Sequence, residues 1–260
     1  MPDIRYYWND KKNRAELAVK HTEQMDKEYK NEIQKAIKKS KIYSPSSRFV
    51  ELNIEKHMTV ELVEMDSVEA IIEYTEGKTA VLNFASYKNP GGGFLLGSKA
   101  QEECLCHESF LYNVLREFPN YYKWNNLHKN NSMYENRAIY SPEILFEHNK
   151  KQVYCDVITC AAPNFTPSLK YGNGVTKATN SRILEDRIKF VLDIAADNKV
   201  DTLILGAFGC GVFGQDATEV VELFIKYLTS THKVFNKVIF AIPTNVHKDN
   251  YLKFNKIVTK

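Results

Sequence analysis

The hydrophobic pattern of the chain changes its period near residue 50, and each period predicts a different kind of element. Between residues 10 and 40, apolar side chains recur every four positions among lysines and glutamates, at Met25, Tyr29, Ile33 and Ile37. This spacing predicts one long amphipathic helix whose apolar face packs on the rest of the chain. Residues 1–50 are therefore interpreted as a helical extension.

Beyond residue 50, apolar runs of strand length alternate with helical patterns. Strands are predicted at 58–65, 79–84, 153–159, 201–208 and 237–243, and helices after the cap residues Asp66 and Ser67 and at 178–198, 216–231 and 248–257. Residues 119–150, rich in asparagine and aromatic side chains, are predicted to be an irregular excursion. This alternation predicts an α/β domain over residues 51–260, with a mostly parallel sheet covered by helices on both faces.

Composition excludes several classes of protein. The 260 residues, 43% of them hydrophobic, suffice for a domain with a large core. The net charge of +3 is too small to indicate direct binding of nucleic acid or of a membrane surface. No apolar run is long enough to cross a bilayer, the charged N-terminal residues do not resemble a secretion signal, and five cysteines are typical of reduced thiols. We therefore expect a cytoplasmic protein.

Three consecutive glycines, Gly91, Gly92 and Gly93, follow the strand 79–84 and precede a helix. Without side chains, their backbone N–H groups can approach a ligand, so the stretch is interpreted either as a phosphate-binding loop or as a loop that needs glycine only for turning. The spacing matches neither a dinucleotide-binding fold nor a P-loop. No cofactor is expected.

Two adjacent carboxylates, Glu102 and Glu103, follow Gln101 at the start of the next helix, for which Ser98 is the predicted N-cap. Acidic residues are favoured at a helix N-terminus by its dipole alone. A carboxylate beside a phosphate-binding loop can also protonate a leaving oxygen, as glycoside cleavage requires. Because the dipole lowers a carboxylate pKa, this second role requires desolvation.

A second glycine-containing turn, Gly209-Cys210-Gly211, follows the strand 201–208 and is interpreted as another anion-binding turn. Cys210 has no histidine near it in sequence and is interpreted as a packing residue. The seven histidines and five cysteines show no ligand spacing. No metal site is expected.

The spacing of the glycines and glutamates resembles that of the microbial-type poly(ADP-ribose) glycohydrolases of the macrodomain superfamily. Their signature is GGG, six to eight residues, then QEE, and here the seven residues FLLGSKA separate the two halves. The likeness continues through NRAIYSP (136–142), CAAPN (160–164) and GAFGCGVFG (206–214). The resemblance implies a macrodomain-like three-layer α/β/α fold with a mixed, mostly parallel sheet.

The resemblance also implies roles for individual residues. Glu103 is the implied catalytic acid, and Glu102 is implied to hold the ribose that is cleaved. The two glycine loops are implied to enclose a diphosphate, with Phe213 near the distal ribose. The implied substrate-binding residues are Asn83, Ser86, Asn89, Gly91, Gly92, Gly93, Gln101, Gly209, Cys210, Gly211, Val212 and Phe213.

One position departs from the family pattern. Ser86 stands where related domains have an asparagine that holds the distal ribose. A serine hydroxyl can also hydrogen-bond to ribose but reaches less far, and we hypothesise that Asn89 compensates.

The sequence thus predicts a monomeric glycosidase that hydrolyses the ribose–ribose O-glycosidic bond of poly(ADP-ribose) and releases ADP-ribose. Two alternatives stay open. One is a hydrolase that removes single ADP-ribose units from modified protein or nucleic acid, and the other is a binding module that recognises ADP-ribose without cleaving it. The expected partners are ADP-ribose, poly(ADP-ribose) or ADP-ribosylated protein.

Overall fold

The computed structural model describes residues 10–49, 56–172 and 174–259. The predicted boundary between residues 50 and 51 and the first nine residues of the predicted extension lie outside these ranges, so the two-part division of the chain stays a prediction. Among the described residues, no helix is both long enough and apolar enough to span a membrane.

A mixed sheet runs through the centre of the molecule. Its strands are β1 (Lys41–Tyr43), β2 (Thr59–Val63), β3 (Thr79–Phe84), β4 (Ala138–His148), β5 (Lys151–Cys160), β6 (Thr202–Leu205) and β7 (Lys237–Ala241). In the described part of the chain they are ordered β1-β4-β5-β3-β6-β7-β2. The strands β5, β3, β6, β7 and β2 are parallel to one another, whereas β4 is antiparallel to both of its neighbours, β1 and β5. The predicted mixed, mostly parallel sheet is confirmed.

Helices cover both faces of the sheet. They are α1 (Lys11–Glu28), α2 (Lys30–Lys39), α3 (Ser67–Tyr74), α4 (Gln101–His107), α5 (Leu111–Leu115), α6 (Pro119–Leu127), α7 (Thr166–Tyr171), α8 (Lys177–Asp197), α9 (Ala217–Ser230) and α10 (Thr244–Val258). Short 3-10 turns occupy Phe94–Leu96 and Asn130–Ser132.

Two hydrophobic cores lie on opposite faces of the sheet, because successive side chains of a strand point in opposite directions. Leu82 of β3 packs in the core formed with α8, α9 and α10. Its neighbour Val81 packs in the core formed with α1 to α6. Both side chains are almost fully buried. The result is the predicted three-layer α/β/α architecture.

The N-terminal helix differs from its prediction because it is broken at Tyr29. The backbone of this residue leaves the helical region (φ −120°, ψ 30°), so α1 and α2 are separate helices. The Tyr29 hydroxyl donates to Glu147 of β4 at 2.8 Å. The four-residue spacing identified the buried positions but contains no signal for the break, which coincides with a contact to a distant strand.

Strand β4 was missed, since residues 119–150 were expected to be irregular. Only the first part of that segment is short helix and turn. Residues 138–148 form the longest strand of the sheet, with a bulge between Ser141 and Ile144 that interrupts the alternation of buried and exposed positions. The irregular pattern around the bulge explains why no strand was predicted there.

Helix α1 packs against the loop that follows β3. The buried Arg14 donates from Nε to the carbonyl oxygen of Gly97 at 2.7 Å. Gly97 has a φ of +73°, and a Cβ there would overlap the carbonyl oxygen of Lys11. A glycine is therefore required where the loop turns beneath α1.

We expect Gly97→Ala to lower the free energy of unfolding by about 2–3 kcal/mol, measured by urea denaturation, because it adds both left-handed strain and a collision with α1. Gly172→Ala is the matched control. Gly172 has a φ of +61° but open space where its Cβ would lie. Equal losses in the two variants would show that contact with α1 contributes nothing.

Candidate active site

Two loops meet at the carboxyl edge of the parallel strands. One follows β3 and spans residues 85–100, and the other follows the neighbouring β6 and spans residues 206–216. In open α/β sheets, ligands usually bind in the crevice at this edge. The glycines and glutamates singled out from the sequence all lie on or directly after these loops.

Glu102 is buried beneath the first loop, with 3% of its surface exposed. Its Oε2 accepts from the backbone N–H of Ser86 at 2.7 Å, and its Oε1 lies 3.3 Å from Nδ2 of Asn83. Asn83 is completely buried at the end of β3, where its Nδ2 also contacts Oγ1 of Thr159 at 3.3 Å. Within the described residues, the Asn83 Oδ1 atom has no hydrogen-bond partner. An unsatisfied buried acceptor is unfavourable in a folded protein, and this makes the Asn83 amide a candidate for binding a ligand hydroxyl.

Glu103 is almost as deeply buried, but its carboxylate is held by different groups. Its Oε1 accepts from the backbone N–H of Gly93, and its Oε2 accepts from that of Ala100, both at 2.8 Å. The two glutamates therefore diverge, as expected for adjacent positions of a helix. The predicted N-cap Ser98 is wrong. Helix α4 begins at Gln101 because the chain first makes a 3-10 turn ending at Gly97, so Ala100 is the cap residue.

The three glycines close over these carboxylates. Gly91 and Gly92 have φ values of +64° and +59°. A Cβ on Gly92 would lie 2.6 Å from Oε1 of Glu103 and 2.8 Å from Oε2 of Glu102. No side chain could be accommodated between the loop and the pair.

The N–H groups of this loop are hydrogen-bonded within the chain, which differs from the expected phosphate-binding arrangement. Gly91 donates to Glu102, Gly92 to the carbonyl oxygen of Asn89, and Gly93 to Glu103. In this structure the loop binds its own two carboxylates. Contact of Gly91, Gly92 and Gly93 with a diphosphate stays a prediction.

Gln101 connects three elements. Its Oε1 accepts from the backbone N–H of Phe84 at 2.8 Å, and its Nε2 donates to the carbonyl oxygen of Leu82 at 2.9 Å and to Oγ of Ser67 at 3.1 Å. The amide thereby ties the start of α4 to β3 and α3. The predicted contact of Gln101 with substrate stays a prediction, and the structure places its side chain as a support for the glutamates.

Ser86 takes part in the site chiefly through its backbone. Its Oγ accepts from the N–H groups of Lys88 and Asn89, at 3.3 and 3.2 Å, within its own turn. The Asn89 side chain is exposed at the rim of the loop. Both residues lie at the crevice, and their contacts with a ribose stay predictions.

The second loop presents backbone donors. In the described part of the chain, no acceptor is bonded to the N–H groups of Gly211, Val212 and Phe213. Gly211 has open space where a Cβ would lie, and Val212 is 81% exposed. Successive unpaired N–H groups in a turn form an anion-binding concavity. This loop, more than the triple-glycine loop, has the properties expected of a diphosphate site.

Gly209 and Cys210 shape the start of that loop. Gly209 has a φ of +75°, and a Cβ there would approach the Cβ of Ala162 to 2.7 Å. Cys210 donates from its N–H to the carbonyl oxygen of Ala207 at 3.1 Å. Burial raises the pKa of the Cys210 thiol to about 12, so the thiolate needed for nucleophilic attack is not available. These properties agree with a packing role.

An aromatic cluster that the sequence analysis missed joins the two loops. The rings of Tyr87 and Tyr134 are stacked with centroids 4.2 Å apart, and Phe213 meets Tyr134 edge-on at 6.1 Å. Tyr134 has a φ of +61°, which is uncommon for a bulky residue. Its segment was considered irregular, and no local signal marks its partnership with Tyr87, which lies 47 positions earlier.

A buried arginine supports this cluster and was also missed. Arg187 of α8 is 1% exposed, and its guanidinium donates to Asn136 Oδ1 and to the carbonyl oxygens of Ala161 and Met133. These acceptors lie on the segments that carry Tyr134 and the end of β5. Arg187 therefore stabilises the segments that form one side of the crevice.

Burial determines the protonation of Glu102. Desolvation, together with the smaller effect of the nearby Glu103, raises its pKa to about 8 against the opposing hydrogen bonds from Ser86, Asn83 and Gly91. Glu102 is therefore protonated near neutral pH, which limits the charge repulsion within the glutamate pair.

Because burial of Glu102 disfavours its ionised form, the folded state retains a proton that the unfolded chain loses above its ordinary pKa of 4.5. Stability should therefore fall as the pH rises from about 4.5 to about 8, by up to about 1.4 kcal/mol per pH unit, and the effect should level off above that range. Glu102→Gln should remove this contribution. We expect urea unfolding at pH 5, 7 and 8.5 to show the wild type losing stability relative to the variant. A difference that does not change with pH contradicts the assignment.

In the described ranges, no group of three or more His, Cys, Asp or Glu side chains is arranged to hold a metal ion. The chemistry available at the crevice is that of two carboxylates, an asparagine amide and backbone N–H groups.

Comparison with known proteins agrees with this geometry. Residues 12–149, more than half of the chain, match the family model described as microbial-type PARG, catalytic domain. No curated protein matches the sequence.

Solved structures resemble the whole fold. Poly(ADP-ribose) glycohydrolase from Thermomonospora curvata, bound to the inhibitor ADP-HPD, is 26% identical, with a TM-score of 0.81 over 94% of this chain and 98% of its own. The enzyme from Deinococcus radiodurans in complex with ADP-ribose is 26% identical, with a TM-score of 0.76 over 87% of this chain and 97% of its own. Its T267R mutant with ADP-ribose is 28% identical, with a TM-score of 0.75 over 86% and 96%.

Proposed function

Since the chain belongs to the family of microbial-type poly(ADP-ribose) glycohydrolases, we propose that it hydrolyses the ribose–ribose O-glycosidic bond of poly(ADP-ribose) and releases ADP-ribose. The observation that carries the proposal is the pair of buried carboxylates, Glu102 and Glu103, clamped beneath the triple-glycine loop at the carboxyl edge of the sheet. Two carboxyl groups are what glycoside hydrolysis requires.

Glu103 is the proposed general acid and base. Its two oxygens accept from the N–H groups of Gly93 and Ala100, so the side chain is oriented before substrate binds, while further lone pairs stay available. For this role Glu103 carries a proton in the substrate complex and gives it to the leaving ribose oxygen as the glycosidic C–O bond breaks and an oxocarbenium-like sugar forms. As a carboxylate it then accepts a proton from the attacking water. Glu102 and Asn83 hold the ribose that is cleaved, with the unpartnered Asn83 Oδ1 accepting from one of its hydroxyls.

The second loop is the proposed diphosphate site. The N–H groups of Gly211, Val212 and Phe213 donate to the phosphate oxygens, and the ring of Phe213 packs against the distal ribose. A diphosphate held there lies near the developing positive charge of the sugar and stabilises it. The binding of ADP-ribose by the Deinococcus radiodurans enzyme supports this assignment.

A protein that only binds ADP-ribose is disfavoured, because two carboxyl groups buried side by side are energetically costly and contribute nothing to recognition of a diphosphate. A hydrolase of single ADP-ribose units shares all of these groups. Incubation with poly(ADP-ribose) and, separately, with mono-ADP-ribosylated protein, followed by measurement of free ADP-ribose, separates the three activities. We expect release from the polymer.

We expect Glu103→Gln to reduce turnover of poly(ADP-ribose) by at least about a hundredfold, because the proton donor to the leaving oxygen is lost. The affinity for ADP-ribose, measured by calorimetry, should change little. Turnover close to that of the wild type contradicts the assignment.

Glu69→Gln is the matched control for the helix cap. Glu69 accepts from the backbone N–H of Asp66 at 3.1 Å at the start of α3, as Glu103 accepts from Ala100 at the start of α4. Each variant therefore alters one carboxylate that accepts from the cap residue of its own helix. Only loss of activity specific to Glu103→Gln supports the catalytic role.

We also propose that the protein acts as a monomer in the cytoplasm. Its five cysteines are free thiols, which suits a reducing compartment. Size-exclusion chromatography with light scattering tests the oligomeric state.

A further inference from the structure

Positive charge is unevenly distributed along the chain. Residues 30–41, which form α2 and the start of β1, contain five lysines and one glutamate, a net charge of +4. Because the whole chain carries +3, the remaining residues sum to −1. All five lysines are exposed. The small total charge therefore conceals one strongly basic surface.

This basic segment borders a groove of about 510 Å³, lined by Lys39, Lys41 and Lys78 among others and called here the lysine groove. Lys78 immediately precedes β3, whereas Asn83 lies near the far end of that strand. Five residues of extended strand separate the two by about 17 Å. The lysine groove therefore lies at the opposite end of the parallel strands from the glutamate pair.

Glu143, on the bulge of β4, is paired with two lysines at once. Lys35 Nζ lies 2.8 Å from its Oε2, and Lys39 Nζ lies 2.9 Å from its Oε1. The hydrogen bonds from both lysines lower the pKa of Glu143, so it stays ionised and holds them in place. One carboxylate neutralises only one of the two cations.

The other two lysines of the groove are also held in position. Lys41 Nζ donates to Asn198 Oδ1 at 3.1 Å. Lys78 Nζ lies 3.7 Å from the mostly buried carboxylate of Asp156 and 5.7 Å from the centre of the Tyr140 ring. The groove is lined by three lysines, Lys39, Lys41 and Lys78, and by two carboxylates, Glu143 and Asp156, which leaves a net charge of +1. The exposed Lys35, paired with Glu143, adds a further positive charge beside the groove. Lysines already oriented by such contacts lose less side-chain entropy on binding an anion than unpaired lysines do.

An exposed aromatic ring completes the groove. Tyr154 of β5 lines it with 53% of its surface exposed. Lysines beside an exposed aromatic side chain are the combination that binds phosphates and stacks a base in flexible single-stranded polymers.

We propose that the lysine groove binds a second ADP-ribose unit of the polymer whose terminal unit occupies the active site. This inference rests on the proposed function. The diphosphate of the second unit is bound by Lys39, Lys41 and Lys78, and its adenine stacks on Tyr154. Single-stranded RNA offers similar groups, but the same chain carries a site built for the ADP-ribose polymer, which favours that ligand.

The test compares two triple variants in the Glu103→Gln background, so that the polymer is not consumed. Lys39→Gln, Lys41→Gln and Lys78→Gln together remove three charges from the groove. The control removes three exposed lysines from α8, α9 and α10 instead, Lys189, Lys226 and Lys256. We expect the first variant to bind long poly(ADP-ribose) about tenfold more weakly than the control, with a smaller dependence on salt, and to bind ADP-ribose equally well. Tyr154→Ala, which leaves every ion pair intact, should weaken polymer binding alone.

Equal polymer affinity in the two triple variants overturns the proposal, and so does a parallel loss of ADP-ribose affinity, which would place the effect at the active site. Displacement of the polymer by poly(A) RNA at an equal phosphate concentration overturns it in favour of a nucleic-acid site. Turnover by the wild type is measured separately. If the wild type binds the polymer through the groove but does not hydrolyse it, the proposed function is refuted, whereas the proposed binding of polymer at the groove is not.

Discussion

The site depends on one constraint, which is that two adjacent carboxylates must be buried and still have hydrogen-bond donors. Glu102 and Glu103 obtain these donors almost entirely from the backbone, at Ser86, Gly91, Gly93 and Ala100. Between the two side chains the loop must carry a glycine, because a Cβ on Gly92 would overlap both carboxyl groups. Burying an unpaired carboxylate is strongly unfavourable, so the loop and the pair are stable only together. A protonated Glu102 lowers the remaining electrostatic cost.

The surrounding architecture maintains this arrangement. Gln101 ties the start of α4 to the last residues of β3, and Arg14 of α1 ties the far end of the loop through Gly97. The carbonyl oxygen of Gly93 accepts from the N–H of Ser98, the neighbour of Gly97, at 3.0 Å. A displacement of Gly97 would therefore also move Gly93, whose N–H donates to Glu103. Helix α1, which lies in the predicted helical extension, therefore supports the candidate active site. The family match begins at residue 12 and so covers nearly all of α1.

Local signals predicted those parts of the fold and site that local chemistry determines. Asp66 caps α3 as expected, the alternation of strands and helices predicted the layers, and the spacing of three glycines from QEE located both glutamates. Other features depend on partners distant in sequence. The stacking of Tyr134 on Tyr87 and the support by Arg187 depend on contacts between segments distant in sequence, and the break at Tyr29 coincides with such a contact. No local pattern encodes them. The direction of the glycine N–H groups likewise depends on where the carboxylates of α4 lie.

The two proposed phosphate-binding surfaces use different groups, which are backbone N–H dipoles in the loop at residues 206–216 and charged side chains in the lysine groove. Electrostatics accounts for this difference. Where the glycosidic bond breaks, the sugar becomes positively charged, so a lysine close to it would raise the barrier to reaction. The backbone N–H groups of Gly211, Val212 and Phe213 can bind a diphosphate there without adding a full positive charge. About 17 Å away along β3, that penalty is small because solvent and salt screen the interaction over roughly 8–10 Å. Lysines can therefore attract a polyanion at the opposite edge of the sheet without opposing the chemistry, and a net charge near zero is compatible with a highly charged substrate.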